Sequence, residues 1–176
     1  DLILPDDLHT QVIHIPALLQ SGTVSALVMR GMGGTGRRTV IGALAKEVGQ
    51  SVLLVESITD DNRRLIGPLA SLTNSLPILR LNPNPGETVD VPPLAGYQGV
   101  VGVTAGRSGG LRGESLGHAL TLTLPPPDPV ARSRFWAASS TPIDPDDSGT
   151  IVRRFLTTGG IIHRAAGLAT TYARLD

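Results

Sequence analysis

Residues 25–39, SALVMRGMGGTGRRT, join an apolar run to a glycine-rich turn and then to a helical pattern. This strand–loop–helix order is typical of a phosphate-binding loop, because glycines let backbone N–H groups close on phosphate oxygens and the new helix offers its positive N-terminal end. Gly31 and Gly36 have the spacing of the template Gly, four residues, Gly, Lys, Ser or Thr. The stretch predicts a phosphate-binding loop, and a strand–helix turn without a ligand is the alternative.

The loop departs from the template at the two positions that follow the last glycine. Arg37 stands where the lysine belongs, and Arg38 stands where the template has a hydroxyl that holds Mg²⁺. An arginine offers only hydrogen-bond donors, so it cannot ligate a cation. Thr39 comes one position late and would point about 100° away around the helix. Both arginines can still pair with phosphate oxygens, so we expect a loop that can hold the phosphates of ATP or ADP but is poorly suited to Mg²⁺ and to hydrolysis.

Composition narrows the class of protein. The chain has 176 residues, enough for one domain with a proper core, and its 15 basic and 15 acidic residues give a net charge of zero. No basic stripe indicates nucleic acid, no apolar segment of these 176 residues is long enough to span a membrane, and none of them has the pattern of a signal peptide. The lack of cysteine excludes disulfides and agrees with a cytoplasmic location. Because the chain begins at Asp1, we expect it to be part of a longer protein.

Strand and helix patterns alternate through the first two thirds of the chain. Helices are predicted over residues 5–20, 37–48 and 60–72, the last of them capped by Thr59, and strands over residues 25–30, 51–57, 76–81, 99–104 and 119–124. The apolar run from Val52 to Val55 is unbroken, which predicts a strand buried on both faces. The alternation predicts an α/β fold with a five-stranded parallel sheet and helices on both faces. Ligands bind such sheets at the carboxyl ends of the strands, where the loop at Gly31 lies.

The pattern becomes helical after Pro125. Asp128 is predicted to cap a first helix, residues 151–156 to form a second, and residues 161–175, after two glycines, to form a third. These segments indicate a small, all-helical C-terminal part that follows the sheet.

This layout resembles the AAA+ ATPase family, which has a helix, a phosphate loop, a five-stranded α/β core and a helical lid. Residues 31–36 resemble the Walker A stretch of that family, usually Gly-Pro-Pro-Gly-Thr-Gly-Lys-Thr, and residues 100–104 resemble its sensor-1 strand. Residues 122–128 are similar to the link from the fifth strand into the helix after the core. Residues 159–162 resemble the start of the lid helix in the sensor-2 region.

The resemblance implies a division of the chain, a site and partners. The α/β core would span residues 1–127, and the helical lid, which we expect to be incomplete, residues 128–176. It also implies that Thr104 faces the terminal phosphate and that Arg164 makes a sensor-2 contact. The predicted nucleotide-binding residues are Gly31, Gly33, Gly34, Thr35, Gly36, Arg37, Arg38, Thr39, Thr104 and Arg164. The implied partners are further copies in a ring or a tandem AAA+ domain, and a protein client.

The chain also departs from the family at its third strand. That strand should end in Asp-Glu, one carboxylate for Mg²⁺ and one for the attacking water, whereas residues 76–81 lead into Asn82, Pro83 and Asn84. Asn82 cannot act as a general base, and Pro83 prevents the usual continuation of the strand. We therefore predict neither a catalytic residue nor a metal ligand.

Three hypotheses follow from these residues. The first is a degenerate AAA+ ATPase-like module with a structural or regulatory role in a ring and weak or no hydrolysis. The second is an active AAA+ ATPase with atypical motifs that remodels a partner, in which Thr39 and Glu87 take over the metal and base roles. The third is an α/β binding module that takes no nucleotide.

Overall fold

The computed structural model describes residues 2–139 and 145–173. The strands are β1 (Ala26–Gly31), β2 (Ser51–Val55), β3 (Ser75–Arg80), β4 (Thr88–Asp90), β5 (Val101–Ala105), β6 (Gly110–Arg112) and β7 (Ala119–Leu124). Five of them form one parallel sheet in the order β2–β3–β5–β1–β7. The two short strands, β4 and β6, pair with each other outside that sheet. The predicted five-stranded parallel sheet is confirmed.

The helices are α1 (Asp6–Gln20), α2 (Arg37–Glu47), α3 (Asp60–Leu72), α4 (Pro129–Ala137), α5 (Pro145–Arg154) and α6 (Gly159–Tyr172). Both predicted caps are present. The Thr59 hydroxyl accepts the backbone N–H of Asn62 at 3.3 Å, and the Asp128 carboxylate accepts that of Ala131 at 2.7 Å. No helix within residues 2–139 and 145–173 is long and apolar enough to cross a membrane.

The central strands determine where a ligand can reach the sheet. Side chains of β1 alternate between the two faces, so that Leu27 and Met29 join the core beneath α1 and α2 while Val28 joins the opposite core. In the register of the sheet, Met29 is next to Thr104 of β5, and Thr104 is next to Arg80 of β3. The carboxyl ends of three neighbouring strands therefore form one edge, close to the start of α2.

The prediction that the strand from Val52 to Val55 is buried on both faces is wrong. β2 is an edge strand that pairs only with β3, and Val52 and Leu54 are 41% and 42% exposed. Only Val55 of this strand is buried. An unbroken apolar run does not distinguish a central strand from an edge strand, and here the order of the strands decides the burial.

Helices cover the two faces of the sheet unequally. On one face α1 and α2 pack together over the strands, whereas on the other face α3 is the only α-helix that the described residues contribute to the core. The rest of the second face is covered by irregular chain that contributes Val91, Leu94 and Leu116. Residues 81–118, all of which the structure describes, contain no α-helix. The connections from β3 to β5 and from β5 to β7 therefore contain the short strands β4 and β6 but no crossover α-helix.

The C-terminal helices form the predicted helical part, with two differences. The second helix is α5, which ends at Arg154, and the third begins at Gly159, so that its glycines belong to its first turn. A side chain at 159 would lie 2.6 Å from the Phe135 ring, so packing requires glycine there. The predicted end of the third helix at residue 175 lies outside the described residues.

A buried arginine joins this helical part together. Arg132 is only 5% exposed. Its Nε and Nη2 donate to the carbonyl oxygen of Val152 at 3.1 and 3.0 Å, and its Nη1 donates to that of Pro127 at 2.7 Å. These bonds satisfy the guanidinium without a carboxylate and fix α4 against the end of α5.

Candidate phosphate-binding site

The glycine-rich loop leaves the carboxyl end of β1 and leads into α2. Gly31, Gly34 and Gly36 have φ angles of +154°, +81° and +88°, which residues with a side chain rarely adopt. Gly36 is the N-cap of α2, and its carbonyl oxygen accepts the N–H of Val40 at 2.9 Å. The predicted strand–loop–helix order is present, with glycine where the backbone requires it.

Several backbone N–H groups of the loop have no protein acceptor. Among the hydrogen bonds of residues 2–139 and 145–173, none has as its donor the backbone N–H of Gly34, Gly36, Arg37 or Arg38. The Thr35 N–H makes one long bond of 3.4 Å to the carbonyl oxygen of Met32, which the Thr35 hydroxyl also contacts at 2.9 Å. Free donors at the start of a helix suit an anion.

Arg37 turns from the loop toward the end of β5. Its Nη1 donates to the carbonyl oxygen of Ala105. Burial lowers the pKa of the Arg37 guanidinium, and the positive charges of Arg80 and Arg38 lower it further. Arg37 thus lies beside two other arginines, one from its own helix and one from the end of β3.

Arg38 and Arg80 share one carboxylate. Arg38 Nη1 contacts Glu56 Oε1, and Arg80 Nη1 lies 2.8 Å from Glu56 Oε2. The hydrogen bond from Arg80 lowers the pKa of the Glu56 carboxyl group, as do the charge and hydrogen bond of Arg38. All three side chains are about half exposed. Thr39, the next residue of α2, is exposed.

Thr104 lies at the same edge of the sheet. It is 3% exposed and stands in register between Met29 and Arg80. Its carbonyl oxygen accepts the N–H of Leu81 at 2.9 Å. Neighbours in register project to the same face of a sheet, so the side chains of Thr104 and Arg80 both face α2.

The start of α6 is in direct contact with the glycine-rich loop. The Thr158 hydroxyl donates to the carbonyl oxygen of Gly33 at 3.1 Å, and the N–H of Gly160 donates to that of Gly34 at 2.8 Å. A side chain at Gly34 would collide with the Thr158 hydroxyl. Arg164, one turn further along α6, is exposed and has no hydrogen bond or ion pair with a described residue. The helical part touches the loop through the Thr158 hydroxyl and the Gly160 backbone N–H rather than through Arg164.

A cleft of about 450 Å³ opens beside the loop. It lies between the N-terminal segment, the end of β7, α4 and the first turn of α6, and Thr35 borders it. Its walls are mostly apolar, with Leu4, Leu124 and Phe135 among them, and its charged side chains are Asp6, Asp128 and Arg134. A cleft of this size can take a drug-sized or nucleoside-sized group.

The residues at the sheet edge do not fit Mg²⁺. Arg38 and Arg80 offer only hydrogen-bond donors at this edge, and Glu56, which could supply oxygen ligands, is paired with both arginines. In the described parts of the chain, no three His, Asp or Glu side chains cluster as a metal site would require. Glu87 accepts the backbone and side-chain N–H groups of Asn84 at 2.7 and 2.9 Å within its own loop.

Three residues of this site are absent from the prediction. Arg80 and Glu56 come at or directly after the ends of β3 and β2, and the rule that parallel strands end at one edge could have indicated them. Thr158 only precedes a glycine pair, and its contact with Gly33, 125 positions away in sequence, has no local signal.

Comparison with known proteins shows a shared fold. No protein-family model matches the chain, and no curated protein sequence matches it. Among solved structures, the chain is similar to one that concerns the structural basis for katanin self-assembly. The two are 18% identical, with a TM-score of 0.61 over 93% of this chain and 67% of that chain. This chain therefore shares the fold of that structure.

Proposed function

We propose that the chain is a degenerate AAA+ ATPase-like module of a larger protein. It binds a nucleotide through the loop of residues 31–36, hydrolyses it weakly or not at all, and has a structural or regulatory role in an assembly. The observation that carries this proposal is the set of free N–H groups at the start of α2, next to a cleft of nucleoside size. Phosphates would lie on the loop and the nucleoside in the cleft.

Neither Thr39 nor Glu87 lies where it would promote hydrolysis, which supports the proposal that hydrolysis is weak or absent. Hydrolysis needs a residue that orients or deprotonates water next to the terminal phosphate, and usually a bound metal. Glu87 is held by Asn84 in the loop before β4, and Thr39 is exposed one position beyond the template hydroxyl. Arg80 stands at the end of β3, near the place of the family's acidic pair. The active ATPase with Thr39 and Glu87 in these roles has no such support.

The structural neighbour supports a role in an assembly. That structure concerns the self-assembly of katanin, and this chain shares its fold. A ring of copies or a tandem with a second AAA+ domain would let a neighbouring active module supply the chemistry that this chain lacks, and a protein client would be acted on by the assembly.

The test combines thermal unfolding with phosphate release on the 176-residue chain. We expect ATP and ADP to raise the midpoint of unfolding, because a ligand that binds only the native state stabilises it, with no phosphate release above background. Arg37→Gln should weaken binding about tenfold, since hydrogen bonds to charged groups are worth about 1.5–3 kcal/mol. The matched control is Arg64→Gln, an exposed arginine on α3.

Two results would contradict the proposal. Phosphate release that needs Mg²⁺ and is abolished by Glu87→Gln would establish the active ATPase instead. A midpoint that does not move with saturating nucleotide would leave the α/β binding module without nucleotide.

A further inference from the structure

Positive charge is concentrated at the edge of the sheet where β3 ends and α2 begins. Arg37 and Arg38 begin α2, Arg80 ends β3, and the charges of Arg80 and Arg38 both act on Arg37. Glu56 is the only carboxylate within ion-pair distance of any of them among the described residues. Three arginines against one carboxylate leave an excess of two positive charges at this edge.

Glu56 is bound in the way that these arginines would bind a phosphate. Its two oxygens are divided between two guanidinium groups, Oε1 to Arg38 and Oε2 to Arg80. Guanidinium groups pair with carboxylate and phosphate through the same hydrogen-bond geometry. The carboxylate is half exposed, so turning it out into water costs little.

We infer that this edge of the sheet is a metal-free oligophosphate site, in which Glu56 holds Arg38 and Arg80 until phosphate oxygens replace its carboxylate. The inference rests on the proposed function and specifies that the ligand binds without Mg²⁺, with the full negative charge of its phosphates. The arginines supply the positive charge that Mg²⁺ would otherwise bring to the terminal phosphates. Mg²⁺ bound to the ligand would reduce the ligand's negative charge and meet the same arginines, so it should weaken binding.

The test is calorimetric titration of the whole chain with sodium tripolyphosphate and with ATP, each in EDTA and in excess Mg²⁺. We expect both ligands to bind several-fold more tightly in EDTA, because the fully charged oligophosphate pairs best with arginine. If ATP binds more tightly than tripolyphosphate, the cleft contributes and the ligand is a nucleotide. If the two bind equally, the ligand is an oligophosphate without a nucleoside.

A matched pair of variants tests the role of Glu56. Glu56→Gln removes the competing carboxylate and should tighten tripolyphosphate binding in EDTA about threefold to tenfold. Glu87→Gln makes the same chemical change at an exposed carboxylate that contacts no arginine, and should leave binding within about twofold. Arg80→Gln should weaken binding about tenfold.

Each contrary result has a distinct meaning. Tighter binding in Mg²⁺ than in EDTA would overturn the metal-free site and leave nucleotide binding in place. Equal binding by the wild-type chain and Glu56→Gln would overturn the role of Glu56. No binding of either ligand under both conditions would overturn this inference together with the binding part of the proposed function. The wild-type comparison of EDTA with Mg²⁺ needs no variant and so does not depend on a variant's folding.

Discussion

Two glycine-rich loops leave neighbouring strands at the same edge of the sheet, and they use their backbones differently. The loop after β1, residues 31–36, leads into the 11-residue helix α2 and keeps several N–H groups free. The segment after β5, residues 106–113, runs through the short strand β6, where the Gly110 N–H donates to the backbone carbonyl oxygen of Glu87 at 2.7 Å. Its carbonyl groups at Gly106 and Gly109 accept from Arg30.

The difference shows what a glycine-rich segment means in this fold. In residues 106–113 glycine permits close packing, since a side chain at Gly110 would lie 2.5 Å from the Thr88 hydroxyl. In residues 31–36 glycine permits the turn that places N–H groups at a helix start, and the open surroundings of Gly33 and Gly36 leave room for a ligand. The element that follows the glycines therefore distinguishes a packing loop from an anion-binding loop.

The largest effect is expected from a substitution in the packing loop. Gly113→Ala should lower the free energy of unfolding by about 3 kcal/mol, because Gly113 has φ +148° and a Cβ there would lie 2.5 Å from the carbonyl oxygen of Val91. Urea denaturation measures this. Gly86→Ala is the control, with φ +82° and nothing within 4 Å, and should cost about 1 kcal/mol. The affinity of the folded chain for tripolyphosphate should not change. A large loss of affinity would mean that both loops bind the anion.

A substitution in the loop of residues 31–36 is expected to have a smaller effect on stability and a large effect on anion binding. Gly34→Ala should cost about 2 kcal/mol, since it forces a side chain into φ +81° and against the Thr158 hydroxyl, and it should weaken tripolyphosphate binding at least tenfold. Gly33→Ala, in the same loop with open space around it, should change stability by less than about 1 kcal/mol. Equal effects of the two variants on calorimetric binding would show that the contact with α6 is irrelevant to the loop.

The smallest expected effect is a difference between two carboxyl groups, Glu56 and Asp90, in how their pKa responds to tripolyphosphate. The pKa of Glu56 is lowered chiefly by the hydrogen bond from Arg80, and the pKa of Asp90 chiefly by the hydrogen bond from Arg112, which joins β4 to β6. A carboxyl group with a lowered pKa in the folded state adds stability above its unfolded pKa of about 4, and that stability is lost as the pH falls through the folded value.

NMR titration of side-chain carboxyl groups separates the two. Tripolyphosphate should raise the pKa of Glu56 toward its ordinary value, because it takes over the arginines and adds negative charge, and should leave Asp90 unchanged. A parallel shift of both groups would indicate a general electrostatic effect rather than displacement of Glu56.

The sequence predicts most of the frame and only part of the site. The five strands, the helix ends near Gln20 and Leu72 and the cap at Thr59 follow from local patterns, and the structure has them. The prediction that β2 is buried on both faces is wrong because the order of strands in a sheet cannot be read from a local pattern. The site residues that the sequence did not indicate are defined by contacts between residues far apart in the chain, Glu56 with Arg80 and Thr158 with Gly33. The proposed roles of Thr104 and Arg164 stay predictions.

The contact of α6 with the loop also changes the loop's electronic character. Each peptide unit joins the carbonyl of one residue to the N–H of the next, so a hydrogen bond accepted by Gly33 polarises the N–H of Gly34. The Thr158 hydroxyl donates the hydrogen bond that Gly33 accepts. In the same way, the N–H of Gly160 donates to the carbonyl of Gly34 and so polarises the N–H of Thr35. The N-terminal ends of α2 and α6 are both directed at the loop. The N–H groups of the loop are therefore stronger hydrogen-bond donors when α6 is in place than they would be without it. Any movement that lifts α6 away would weaken the loop's attraction for an anion without touching the anion itself.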